Sequence, residues 1–224
     1  VGNLVVRQLL AAGFGVVAVS RSAEKLKRIT TSYSRTGRIG TLQGDVSSDA
    51  QAGDLRTRFV AAYGNPHAVV ASLSSTAVDG PMRILDSPTE ALRKAFDTNF
   101  FTHVIAAKTW IPGLASGGTF VGINGGLANF AAAGMAQLTT TQSALRSLYE
   151  VLAFEAQGRN RPEDRRPFVR SLELYGLVDD GSAPLSRPEM RIDGTAVGTR
   201  VSEIIARPAD FPGPVLTLKS RAFA

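Results

Sequence analysis

The sequence predicts an α/β chain folded as a doubly wound parallel sheet, in one domain over residues 1–224. Three observations predict it. Short apolar runs alternate with helical patterns along the whole chain. A glycine, a helix, a glycine and an apolar strand open it. Late in the chain, the apolar run Thr119 to Asn124 leads through small residues into a long helix, Leu138 to Glu155.

At the N-terminus Leu4, Val5, Leu9 and Leu10 keep helical spacing, and Gly13 stands where a C-terminal cap belongs. Phe14 to Ser20 is the strand that follows. With Gly2 ahead of the helix, this is the second half of a dinucleotide-binding βαβ unit, so a Rossmann-like sheet is expected. Ser20-Arg21-Ser22 ends the strand. A carboxylate at this place would hold the ribose 2′-hydroxyl of NAD, whereas an arginine accommodates the 2′-phosphate of NADP. No Asp or Glu is present; Arg21 is, with Lys25 one turn on. Guanidinium grips a phosphate in two-pronged fashion, and a carboxylate repels it. NADP(H) is therefore expected over NAD(H).

Ala23 to Tyr33 reads as a helix and Ile39 to Gln43 as a strand, which leads into Gly44-Asp45-Val46. Ser48 to Tyr63 is helical with Leu55, Phe59 and Val60 on one face, and Asn65-Pro66 breaks it. His67 to Leu73 is a strand, and Thr76 to Asp86 is a loop holding Gly80-Pro81. Ser87-Pro88-Thr89-Glu90 has the form of a capping box and predicts a helix through Trp110, stopped by Pro112 and Gly113. The helix Leu138 to Glu155 carries Leu138, Leu145, Leu148, Leu152 and Phe154 with no internal Pro or Gly, and reads as largely buried. Gln157 to Arg166 is a polar loop. Pro167 to Leu174 is a strand, and Leu177 to Asp193 is irregular around Gly181, Pro184 and Pro188. A helix from Asp193-Gly194-Thr195 to Ile205 and a strand Val215 to Leu218 close the chain.

Composition narrows the function. The chain is 44% hydrophobic and 20% charged, the balance of a soluble globular protein. Net charge is +6, but it is spread out; the densest run, Arg159 to Arg166, includes Glu163 and Asp164 and reads as a solvated loop. A nucleic-acid partner is not expected. There is no cysteine, and the absence of clustered ligands argues against a metal site. No run approaches the ~20 apolar residues of a membrane helix, and no signal pattern opens the chain, so the expected setting is cytoplasmic. Two histidines and no nucleophile elbow argue against a Ser-His-Asp hydrolase.

The segment GTFVGINGG (Gly118 to Gly126), followed by LTTTQSALRSLYEVLAFE, resembles the active-site segment of the short-chain dehydrogenase/reductase family. The resemblance implies a catalytic Ser at Gly125 or Gly126, the Tyr of Tyr-x-x-x-Lys at Leu138, and its Lys at Gln142; Ser143-Ala144-Leu145-Arg146 continues the pattern. Asn99 matches the Asn that supports the catalytic Lys. Val1-Gly2 matches the end of Thr-Gly-x-x-x-Gly-x-Gly, which implies that the first strand lies outside this chain. Asp45 and Val46 match the pair that contacts adenine. Ala71-Ser72-Leu73-Ser74 replaces Asn-Asn-Ala-Gly, and Tyr175-Gly176 replaces Pro-Gly before the nicotinamide-facing loop. The substrate lid would be Leu177 to Asp193. The cofactor-binding set is then Gly2, Ser20, Arg21, Asp45, Val46, Gln142 and Gly176. The resemblance also implies pairing through the helices Glu90 to Trp110 and Leu138 to Phe154. Phe100, Phe101, Trp110 and Tyr149 are expected to supply the apolar surface of a homo-oligomer.

In the family Tyr is the acid/base, Lys lowers its pKa and Ser orients the carbonyl. Leu138 has no proton to give, Gln142 has no charge to depress a phenol, and Gly125 offers only its backbone. Gln142 can still hydrogen-bond a ribose. Tyr175 is the phenol expected near the nicotinamide. Two readings stay open. One is an NADP(H)-linked oxidoreductase of a carbonyl or alcohol, with Asn99 and Tyr175 in an altered site. The other is a non-catalytic NADP(H)-binding relative, a regulatory or structural subunit of a hetero-oligomer.

Overall fold

The computed structural model describes residues 1–73, 83–158, 162, 166–181 and 184–223. Ser74, Gly80-Pro81 and most of the loop Gln157 to Arg166 lie outside them. The described elements alternate as expected for a doubly wound fold: α1 (Gly2–Ala11), β1 (Val16–Ser20), α2 (Ala23–Tyr33), β2 (Ile39–Gln43), α3 (Asp49–Tyr63), β3 (Ala68–Ala71), α4 (Thr89–Phe96), α5 (Thr102–Trp110), β4 (Thr119–Gly125), α6 (Ala136–Ala156), β5 (Phe168–Tyr175), β6 (Leu177–Asp179), β7 (Arg191–Asp193), α7 (Gly194–Ala206) and β8 (Val215–Lys219).

All described strand pairs are parallel. The main ladder runs β3-β4-β5-β8, and β1 pairs with β2 in a second ladder. Successive residues of β4 face opposite layers. Val121 packs with Leu172, Leu174 and the buried residues of α1 and α7. Phe120 packs with Val169, Trp110, Leu145 and Tyr149 under α5 and α6. Strands covered on both faces read as nearly continuous apolar runs, which is why the sequence marks them so clearly. No ladder joins β1 to β3. The two cores bridge that division instead: Val16 of β1 and Val70 of β3 border one, and Leu42 of β2 and Val69 of β3 border the other.

Five expectations are corrected. Ser87 does not cap α4: its hydroxyl donates to the Arg83 carbonyl at 2.9 Å, because the one-turn helix Ile84–Asp86 brings that carbonyl back to it, and Pro88 takes the cap position. The helix through Trp110 is not uniform; a π-turn, Asp97–Phe101, divides α4 from α5. The helix α6 buries one face only. Leu145, Tyr149, Leu152 and Ala156 follow the inward stripe, whereas Phe154 lies about half a turn away and is 82% exposed. Trp110 and Tyr149, expected on a partner-facing surface, fill this chain's own core. The expected irregular stretch also contains order: β6 and β7 pair within it.

Candidate functional site

The C-terminal edges of β1 and β2 form the first part of the site. Ser22 caps α2 by accepting from the Lys25 N–H, and Ser20 Oγ accepts from the Ser22 N–H, both at 3.2 Å. Two caps in tandem fix the turn that presents Arg21. An open cleft of about 570 Å³ lies there, lined by Arg21, Gln43, Asp45, Gln51 and Arg58 among others. Arg58 is committed to Asp54 at 2.8 Å and to the Gln43 carbonyl at 3.1 Å. The Arg21 guanidinium has no partner among the described residues and is the free cation of this cleft. Asp45 accepts from the Ser47 N–H at 3.0 Å, and Val46 borders the core under α3. Gly2 opens α1 beside Ser72. A Cβ there would meet only Ser72, at 3.9 Å, so no described protein atom requires glycine. That helix end has no side-chain cap and no acidic residue in its first turn; the Leu4 N–H bonds the Val1 carbonyl at 2.9 Å, and the Gly2 and Asn3 N–H groups are the ones suited to an anion.

The second part gathers where β4 and β5 end against α6. Asn124 and Glu173 are register partners on the α6 side of the sheet. Asn124 Nδ2 donates to the Gln142 carbonyl at 3.0 Å, and its Oδ1 accepts from the Gly125 N–H at 2.9 Å. Gln142 lies so close over Gly125 that a Cβ there would sit 2.3 Å from Oε1. Tyr175 lies over Gly126 in the same way, 2.8 Å from such a Cβ. The structure thus brings Gly125, Gln142 and Tyr175 together. A serine side chain at Gly125 would start against the Gln142 amide, and one at Gly126 would start against the Tyr175 ring. Gln142 Oε1 is buried with no hydrogen-bond partner among the described residues. Leu138 is half-buried one turn earlier on α6. Asn99 is buried on the π-turn, which packs against α6. Single π-turns inside helices recur at functional sites. Gly176 follows β5 with φ 153°, and a Cβ there would lie 2.3 Å from the Met190 carbonyl.

Sequence reasoning missed two buried groups. Glu173 is fully buried on β5. Its Oε2 accepts from Asn129 Nδ2 at 2.6 Å, Arg146 Nη1 at 3.0 Å and the Tyr175 hydroxyl at 3.3 Å. Burial pushes its carboxyl up, against the downward pull of Asn129, Arg146 and Tyr175. Burial also raises the Tyr175 phenol, and the charge and hydrogen bond of Glu173 add to that. The only signal in the sequence is a charged residue inside an apolar strand. His103, on α5, is the second. Its Nδ1 lies 2.6 Å from the Tyr149 hydroxyl and its Nε2 lies 2.7 Å from the Leu73 carbonyl. A carbonyl can only accept, so Nε2 carries the proton and Tyr149 donates to Nδ1. Burial lowers His103 to about 4, despite the Leu73 hydrogen bond, and pushes Tyr149 far above its ordinary value.

The fold is that of the short-chain dehydrogenases/reductases. The sequence pattern of the family described as Enoyl-(Acyl carrier protein) reductase matches residues 1–161, and the chain belongs to this short-chain dehydrogenase/reductase family. Solved structures agree in fold. The short-chain dehydrogenase/reductase of Serratia marcescens is 16% identical with a TM-score of 0.84, over 100% of this chain and 93% of that one. A short-chain dehydrogenase from Burkholderia cenocepacia, solved in complex with NADP, is 18% identical with a TM-score of 0.81, over 99% of this chain and 92% of that one. An alcohol dehydrogenase from the archaeon Thermococcus sibiricus, complexed with 5-hydroxy-NADP, is 19% identical with a TM-score of 0.78, over 97% and 90%. The curated sequences contain no match. Among the described residues no helix is long and apolar enough to cross a membrane.

Proposed function

We propose that the chain is an NADP(H)-linked oxidoreductase with an altered site, reducing a small carbonyl compound with Tyr175 as its proton donor. The observation that carries this reading is the seat of the Tyr175 ring over Gly126, one of the two positions that the resemblance offers for the family's serine. The NADP carried by the Burkholderia cenocepacia structure supports the cofactor class. In this chain the bare N-terminus of α1 at Gly2 is suited to the pyrophosphate, and Ser20 and Arg21 to the 2′-phosphate. Asp45 and Val46 fall to the adenine. Gln142 Oε1, buried without a partner among the described residues, suits a ribose hydroxyl as its hydrogen-bond donor. Asn99 supports α6 from the π-turn, and Gly176 allows close approach beside the nicotinamide. The reduced dinucleotide, when bound, supplies hydride.

Tyr175 then has one task, to protonate the alkoxide formed from the carbonyl. A phenol held above its ordinary value is fully protonated at neutral pH. It still protonates an alkoxide, which is the stronger base, but it is a poor base for the reverse reaction. Reduction is therefore expected over alcohol oxidation. The experiment is NADPH oxidation against a panel of ketones and quinones. Tyr175→Phe should lose ~10²–10⁴-fold in turnover; turnover untouched by it removes Tyr175 from the chemistry.

A second reading, a non-catalytic NADP(H)-binding subunit, draws on the same glycines: Gln142 and Tyr175 fill the space that a serine and its substrate oxygen would share. NADPH binding without turnover on the panel would favour it. For assembly, Phe101, Val151 and Phe154 are exposed on α6 and the neighbouring π-turn. A homo-oligomer, or the hetero-oligomer of the second reading, would cover them.

A further inference from the structure

We propose that Glu173 and Arg146 are positioning residues that hold and tune the proton of Tyr175. This rests on the reading of Tyr175 as the site's proton donor, but its geometry stands apart from any substrate. Glu173 is fully buried, and a single oxygen, Oε2, gathers three donors from three different places: Asn129 after β4, Arg146 on α6 and Tyr175 at the end of β5. Oε1 is buried and has no hydrogen-bond partner among the described residues. A buried carboxylate is costly, and an arrangement that stabilises only half of it is not explained by stability. An apolar side chain of similar volume would fill the position at less cost.

What the arrangement does is fix a phenol. The hydrogen bond to Oε2 orients the Tyr175 hydroxyl, and the anion behind it makes loss of that proton unfavourable. Arg146 opposes this. It lies 3.0 Å from the same oxygen and reaches outward to Glu150 at 3.4 Å, so its charge is divided between a buried and a half-exposed carboxylate. The other charged group facing the phenol is Lys219 of β8, with its Nζ 5.9 Å from the ring centroid. The aromatic neighbours of the ring, Phe130 and Phe223, are uncharged, as is Asn129, which also lowers the phenol. Glu173 and Arg146 thus act on the hydroxyl with opposite charge, and removing each must move its titration in opposite directions.

The test is alkaline titration of the full chain without cofactor, following phenolate absorbance below the alkaline unfolding midpoint of each variant. The chain has four tyrosines, and subtracting the Tyr175→Phe curve isolates Tyr175. Glu173→Gln keeps the shape and an acceptor; it should lower the Tyr175 midpoint, because it removes the charge that raises it. Arg146→Gln should raise it. A merely structural loosening would bring the phenol toward its ordinary value in both variants, so downward shifts in both overturn the proposal, as does no shift in Glu173→Gln. Should Glu173→Gln fail to fold, the upward shift in Arg146→Gln decides alone: its absence is fatal. Opposite shifts without NADPH turnover would uphold the coupling and count against Tyr175 as a donor. Turnover lost in Tyr175→Phe without opposite shifts would do the reverse.

Discussion

Tyr175 and Glu173 stand two residues apart on one face of β5, and the phenol donates to the carboxylate across 3.3 Å while its ring lies over Gly126. In the family a lysine lowers the acid and a serine shares the substrate oxygen. Here the nearest charge to the phenol is an anion, and glycine leaves the room that the ring occupies. On the proposed reading of Tyr175, the charge beside the proton donor is opposite in sign to the family's lysine.

Restoring the family's residues should not simply restore its chemistry. Leu138→Tyr alone and Gln142→Lys alone are expected to give no gain in NADPH-dependent reduction, because groups acting as a unit are strongly non-additive. Gly125→Ser alone should displace the Gln142 amide, since its Cβ would sit 2.3 Å from Oε1, and give no gain. Combined with Gln142→Lys and Leu138→Tyr it should be tolerated. Initial rates on the ketone panel check this; full activity from one substitution would contradict it.

Stability should depend on His103. Its folded value of about 4 lies below the ordinary 6.5, so the unfolded chain binds more protons between those values. The contribution is complete above pH 6.5 and is lost as pH falls toward 4. A difference of that size corresponds to about 3 kcal/mol. Urea unfolding across this range, compared with His103→Gln, should show the excess slope only in the unmodified protein. Equal slopes would mean that His103 is not buried neutral.

Gly122→Ala should be among the most damaging single-atom changes in the sheet. A Cβ there would lie 1.9 Å from Tyr149 Cζ, inside a ring that is fully buried and hydrogen-bonded to His103. Overpacking of a tight core costs ~1–3 kcal/mol or more. Thermal unfolding reads it; an unchanged midpoint would show that α6 can move off the sheet freely.

Much of this fold was legible because its strands are buried on both faces and its helices carry their own punctuation. Ser48 and Asp193 cap α3 and α7 as their positions suggest, and Gly13 takes φ 94° at the end of α1. The failures share a cause: they depend on what lies across the fold. Ser87-Pro88-Thr89-Glu90 has the letters of a capping box, but the Arg83 carbonyl competes for the hydroxyl. Phe154 keeps an apolar letter but lies off the inward stripe. In the site, Gly125, Gln142 and Tyr175 could be singled out by their positions in a known pattern. Glu173, Arg146 and the His103–Tyr149 pair could not, because their meaning lies in contacts spanning 27 and 46 residues of chain.

Arg21 is a cation without a partner among the described residues, at the edge of an open cleft, and cofactor choice rests on it. The decisive measurement is titration of the protein with NADPH and with NADH, alongside Arg21→Asp. One charge-assisted phosphate contact is worth ~1.5–3 kcal/mol, so NADPH should bind about 10–100-fold tighter than NADH, and Arg21→Asp should reverse the order. Equal affinity for the two in the unmodified protein, or no binding of either, would contradict this role of Arg21.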